Sequence, residues 1–215
     1  MMLAELTPEA SARALADSHI HKIGLECLQV FCTAAREMQV AFDTSPHFAP
    51  YLPLPKSTHE GHPLVLWAVE DRTHLAFLVR YAVACFEEYH LRFGKRYALE
   101  DLARAALSWA WNGETPRDPE VWCVCIESSY RSDQTPARVE SLGEAQRYYQ
   151  TYLSRKYRDW GDRARWSNRR PPTWMGHYWR RKWAPSPRIQ VSAAPREIYT
   201  LIPMGTANTM LGTGA

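Results

Sequence analysis

The chain has 215 residues, 46% of them hydrophobic, and a formal net charge of +3. That length and composition suffice for a sizeable core, expected as one domain with extensions. No run of about 18 apolar residues occurs and no basic-then-apolar leader is visible, so neither a membrane span nor a secretory signal is expected. The net charge conceals an asymmetry. Residues 150–190 carry eleven Lys or Arg against Asp159 and Asp162, a balance of +9, which leaves the rest of the chain at −6. A mildly acidic body with a basic, aromatic-rich C-terminal segment predicts a polyanionic partner, with nucleic acid first.

In chain order, Thr7-Pro8-Glu9 predicts an N-cap and first turn, opening a helix that starts at about 8 or 13 and runs to 38. Pro46, Pro50, Pro53 and Pro55 mark an irregular connection, after which Pro63 can open a helix through Val69. Thr73 is expected to cap a long helix to Phe93, with Leu75, Leu78, Val79, Ala82 and Cys85 or Phe86 buried and Gly94 as its stop. A further helix is expected over 98–111, with Leu99, Leu102, Ala106 and Trp109 inward. Segment 112–134 is expected as loop, with an extended piece at Val121–Ile126. Thr135-Pro136 is expected to cap the last long helix, ending near Trp160-Gly161. No period-2 alternation or internal repeat competes with these helices, so the fold class is all-α. The expected division is a single helical domain over 1–184 and a flexible tail over 185–215.

Chemistry is expected first on the helix after Leu15. At about 100° per residue, Ile20, Ile23, Cys27, Val30 and Phe31 form an apolar stripe. His19, Lys22, Glu26 and Gln29 form a second row along its edge. A carboxylate at the edge of a core stripe is placed to act as an acid or base. The bland alternative is an exposed face with an ordinary Lys22–Glu26 pair. His59 and His62 make an H-x-x-H pair without evident further ligands, and Cys123-Val-Cys125 has no second pair near it. No metal is therefore expected, and the five cysteines are expected as reduced thiols. Around Arg147-Tyr148, Lys156, Arg169-Arg170, Trp174 and Tyr178, cations alternate with aromatic rings that could stack on bases. The alternative is a solvated basic face whose tryptophans cover the core.

Leu15-Ala-Asp-Ser-His19, Glu26 and Val30-Phe31 resemble the opening helix of the phage pyrimidine-dimer DNA glycosylase (endonuclease V-like) family, in which a catalytic Glu follows the His by seven residues. Arg170-Pro-Pro-Thr-Trp174-Met-Gly-His-Tyr178 is similar to that family's C-terminal aromatic segment, which lies against the damaged duplex. Between them, Lys22, Gln29, Thr58-His59, His62-Pro63, Trp67, Glu87-Glu88-Tyr89, Arg92-Phe-Gly94-Lys95, Tyr130-Arg131-Ser-Asp133, Arg147-Tyr148-Tyr149, Lys156 and Trp160 resemble a wider group of related phage proteins. The resemblance covers about residues 13–178.

It implies an all-α, base-flipping enzyme acting on a damaged or modified pyrimidine in duplex DNA, without a cofactor, in the cytoplasm of a phage-infected cell. In that chemistry an N-terminal α-amine attacks the sugar C1′ and forms a Schiff base, while a carboxylate stabilises the intermediate and moves protons. Glu26 matches the carboxylate and His19 a neighbouring site residue. In register, Glu5 stands where the family has its nucleophilic Thr, so the extended N-terminus is expected to bring no amine to Glu26, leaving Lys22 as the local amine. Gln29, His59, His62, Arg92, Lys95, Arg147, Tyr148, Lys156, Arg169, Arg170, Trp174 and Tyr178 are the expected DNA or substrate contacts. Two alternatives stay open. One is a thymine-hypermodification transferase that joins a small amine or amino-acid co-substrate to activated 5-hydroxymethyluracil; the other is a non-catalytic DNA-binding protein. No nucleotide-binding loop is present, so no ATP-driven step is expected.

Overall fold

The hydroxyl of Thr7 accepts a hydrogen bond from the Ala10 N–H at 3.1 Å, and Pro8 needs no such partner, so helix α1 opens as expected, at Pro8–Ala14. The computed structural model describes residues 1–38, 46–51, 53–58, 60–111 and 117–176, which belong to one compact unit, Met1–Pro185. His59, Tyr178 and the expected tail lie outside the described residues.

The first helix does not run on to residue 38 unbroken. Leu15 and Ala16 are extended, and helix α2 begins afresh at Asp17–Glu37. The cause is long-range. The Ala16 N–H donates to the Tyr157 hydroxyl at 3.0 Å, and the Asp17 N–H donates to the Arg165 carbonyl at 2.7 Å. Donors committed to those partners are lost to a continuous helical ladder.

Helix α3 spans Pro63–Glu70, with Pro63 at its first turn. Helix α4 spans Arg72–Phe93 and is capped by Asp71, whose carboxylate accepts from the Thr73 N–H at 2.7 Å; the expected cap, Thr73, is the donor instead. Gly94, at φ 65°, supplies the left-handed stop. Helix α5 covers Glu100–Trp111. A short ribbon follows, β1 (Trp122–Cys123) antiparallel to β2 (Arg138–Val139), with Trp122 opposite Val139. Thr135 therefore does not start the last helix. Its hydroxyl accepts from the Ser132 N–H in a turn that feeds β2, and helix α6 (Leu142–Trp160) is capped by Ser141.

Helix α4 is the central element, packed against α1, α2, α3 and α5. Its side chains at 75, 78, 79, 82, 85 and 86 are buried, as is the whole Ile20–Phe31 apolar stripe of α2. The two helices meet at Gly24, where an added Cβ would lie 2.8 Å from Phe86 Cε1. The architecture is thus all-α with one two-residue ribbon. No helix among the described residues is long and apolar enough to cross a membrane.

The first residues and the segment that follows α6 are both stitched to this framework. The Tyr81 hydroxyl donates to the Met2 carbonyl at 2.6 Å and Gln150 Nε2 to the Ala4 carbonyl at 2.9 Å, which fixes the first residues beside α4 and α6. Past α6 the chain returns to the start of α2. There Trp166 Nε1 donates to the Ala14 carbonyl at 3.0 Å, and Ser167 donates through its N–H and hydroxyl to the Asp17 carboxylate.

Candidate active site

The row on α2 faces a row on α6. His19 is buried, and its Nδ1 lies 2.9 Å from the Tyr157 hydroxyl. Its ring centre is 4.5 Å from that of Trp160. Burial, with the cations of Lys156, Lys22 and the N-terminal amine, pushes the imidazole down to about 3, so His19 is neutral at physiological pH. One turn on, Lys22 Nζ lies 3.4 Å from Glu26 Oε1, with 43% of the Glu26 side chain accessible. The bland expectation for this face, an i, i+4 pair, is present. Glu26 nonetheless has more company than an isolated surface pair.

From α6, Lys156 Nζ donates to Glu127 Oε2 at 2.6 Å and to the Tyr152 hydroxyl at 2.8 Å. The ammonium also lies 5.3, 5.6 and 5.9 Å from the ring centres of Tyr152, Trp160 and Tyr130. Burial lowers its proton affinity, but Glu127 and Tyr152 outweigh that, so Lys156 is held as a cation. Tyr152 is raised by burial and also senses the charges of Glu127 and Glu26.

The N-terminal amine is the main departure from expectation. Met1 is buried, and its amine interacts electrostatically with Cys27, Cys125, Glu26 and Cys123. Burial alone would lower the amine; its interactions with Cys27, Cys125, Glu26 and Cys123 more than offset that and raise it above its ordinary value. An amine is therefore brought into the field of Glu26 after all. It arrives because Leu3 and Ala4 are fully buried and Met2 and Ala4 are anchored by Tyr81 and Gln150. Glu5, the residue expected in register with the nucleophile, instead accepts from Trp174 Nε1 at 2.9 Å and Gln146 Nε2 at 3.4 Å.

Behind the amine, Cys123 and Cys125 turn their sulfurs to within 3.1 Å of each other. The Tyr149 hydroxyl holds the backbone there, accepting from the Cys125 N–H at 2.8 Å and donating to the Cys123 carbonyl at 3.2 Å. Among the described residues no group of three or more His, Cys, Asp or Glu side chains is arranged to hold a metal ion.

The expected DNA contacts divide. Arg147, Arg170 and Lys95 are exposed, while Gln29 and Tyr148 are half-buried. Arg92 corrects the expectation outright. Its side chain is fully buried, and it donates to Glu88 at 2.8 Å, Asp17 at 2.9 Å and the carbonyls of Leu15 and Arg13. It ties α4 to the α1–α2 joint and has no face left for a phosphate. Arg169 grips Glu88 through two bonds of 2.8 and 2.9 Å and stays one-third exposed. Trp166 is buried, so that part of the aromatic run covers the core. The His62 ring caps α3, its Nδ1 accepting from the Leu64 N–H at 3.1 Å.

Sequence reasoning missed Met1, Cys27, Cys125, Glu127, Tyr152 and Tyr157 as members of this neighbourhood. For Tyr152 a signal existed, since it precedes Lys156 by one helical turn. For the α-amine and the thiols there was none, because their proximity is a matter of tertiary packing. No family model, curated protein or solved structure matches this chain.

Proposed function

We propose that the chain is a base-flipping enzyme that acts on a damaged or modified pyrimidine in duplex DNA, by glycosylase- or lyase-like chemistry with Glu26 as its central carboxylate. The observation that carries this reading is the Lys22 amine 3.4 Å from the Glu26 carboxylate, with the Met1 α-amine electrostatically linked to the same carboxylate. The Met1 α-amine and the Lys22 amine both lie in the field of Glu26, beside a neutral His19. An amine that attacks C1′ forms a Schiff base and expels the base, and a nearby carboxylate can take up and return the protons. The resemblance to the pyrimidine-dimer glycosylase fold belongs to the same proposal. So does DNA as the partner, for which the exposed Arg147, Arg170 and Lys95 are available.

A specific observation also favours the second reading, transfer of a small amine or amino acid onto activated 5-hydroxymethyluracil. The Met1 amine is raised, and so held as an ammonium. Lys22 is paired with Glu26. Transfer to an external amine needs an acid–base group and a flipped base, but no nucleophile from the chain.

Borohydride trapping separates the two. Duplexes carrying a thymine dimer, an abasic site or 5-hydroxymethyluracil are incubated with the protein and with Glu26→Gln. The expected result is a covalent adduct for the native chain and loss of turnover, with retained DNA binding, for Glu26→Gln. Peptide mapping assigns the adduct to Met1 or Lys22, and residues added ahead of Met1 should abolish an adduct at the α-amine. DNA binding with neither adduct nor strand cleavage would overturn the glycosylase reading and bring the transferase forward.

A further inference from the structure

The C-x-C pair is left unused by the chemistry above. Its two sulfurs face each other at 3.1 Å, while Cys27, Cys32 and Cys85 are sealed in the core. Cys125 is the only one of the five thiols with access to solvent, and Cys123 lies directly beneath it in β1. The turn is braced on both sides by the Tyr149 hydroxyl, so the sulfurs are held together without a bond between them.

From this geometry we propose that Cys123 and Cys125 form a thiol-modification site, in which Cys125 attacks a small-molecule disulfide and Cys123 resolves the product into an intramolecular disulfide.

Exposure assigns these roles, since Cys125 is half-buried and Cys123 is buried, and the electrostatics run the same way. The contact between the two sulfurs leads the lowering of the Cys125 thiol to about 7; burial opposes it, while the α-amine and Arg131 assist. A sizeable fraction of Cys125 is then thiolate at neutral pH, the form that attacks disulfides. Cys123 is held strongly protonated, first by its bond to Cys125, then by burial and by the Cys125 charge, with the α-amine and Arg138 pulling the other way.

In the first step the Cys125 thiolate bonds to one sulfur of the reagent disulfide, and the other sulfur leaves as a thiolate that takes up a proton. Cys125 then carries no charge and accepts no proton from Cys123, so two of the three effects that raise Cys123 are gone. In the second step Cys123 gives up its proton, bonds to the Cys125 sulfur and expels the second reagent thiol. One disulfide is reduced to two thiols, and two protein thiols are oxidised to one disulfide. The Met1 amine and Arg131 favour the Cys125 thiolate, and the Met1 amine and Arg138 act on Cys123.

The test is chemical and needs no DNA, so its outcome is independent of the proposed function. The full-length protein is incubated under native conditions with glutathione disulfide and followed by intact mass and peptide mapping. The expected product has lost two hydrogens, retains no glutathione and carries a Cys123–Cys125 link that a reducing agent reverses. Cys123→Ser is expected to stop at a stable glutathione adduct on Cys125. Cys125→Ser is expected to react at least about tenfold more slowly than the native protein. A native protein that keeps glutathione on Cys125, stays unmodified, or reacts as fast without Cys125 overturns the proposal. The native mass result decides the matter even where a serine variant fails to fold.

Discussion

His19 Nδ1 and the Tyr157 hydroxyl lie 2.9 Å apart in the buried seam between α2 and α6. The same hydroxyl accepts the Ala16 N–H, so one phenolic oxygen serves both the backbone break and the buried ring. One phenol thus ties the joint between α1 and α2 to the buried histidine. Tyr157→Phe leaves two buried polar groups without partners. The expected loss is about 1–3 kcal/mol each way a partner is removed, read by urea denaturation. An unchanged midpoint would show that neither bond holds the joint.

The buried imidazole also predicts a pH dependence. An unfolded histidine titrates near 6.5 and the folded His19 at about 3. Between those values the unfolded chain takes up a proton that the folded chain refuses. Stability therefore falls as pH drops through that window, by about 1.4 kcal/mol per pH unit, and is unaffected by His19 above it. His19→Gln should remove this part of the slope. Equal slopes in the two proteins between pH 6 and pH 4 (approximate limits of the window) would place the proton on the folded histidine.

Gly24 of α2 packs tightly against α4. A Cβ there would lie 2.8 Å from Phe86 Cε1 and 3.0 Å from Cys85 Cβ. Helix propensity alone favours alanine by about 1 kcal/mol, but overpacking a tight core costs about 1–3 kcal/mol. Gly24→Ala is expected to lower the thermal midpoint. A higher midpoint would mean that the two helices can part at no cost.

Arg92 bridges Glu88 and Asp17 from a fully buried position. Arg92→Met takes the buried guanidinium from Asp17 and Glu88, leaving them only Ser167 and Arg169, and is expected to destabilise by about 3 kcal/mol. Lysine should restore little, because a single ammonium cannot reach four separate acceptors with the fixed fork of a guanidinium. A mild loss in calorimetry would argue against the network.

For DNA the expectation reverses. Under the proposed function, exposed Arg147 and Arg170 act through phosphates. Each alanine substitution should weaken binding regardless of sequence and flatten the salt dependence by about one unit of log–log slope. Unchanged affinity at moderate salt for the double substitution would sink the assigned DNA-binding face.

What could be read from the sequence alone is what neighbours in the chain decide. The apolar period placed Leu75, Leu78, Val79 and Phe86 on the buried side of α4, and Ile20, Ile23 and Cys27 on that of α2. The Thr7 cap, Pro63 at a helix start and the Gly94 stop were legible for the same reason, since each satisfies or ends a ladder within a few residues. The row from His19 to Gln29 was legible as a row, and Lys22–Glu26 as a pair. Tertiary structure decided the rest. The break at Leu15 and Ala16, the inward turn of Arg92 and the anchoring of the first residues all depend on partners remote in sequence: Tyr157 and Arg165, Asp17 and Glu88, Tyr81 and Gln150. Periodicity says which side of a helix avoids water. It does not say which buried polar group will meet a partner, because that pairing forms only when distant segments close around the same core.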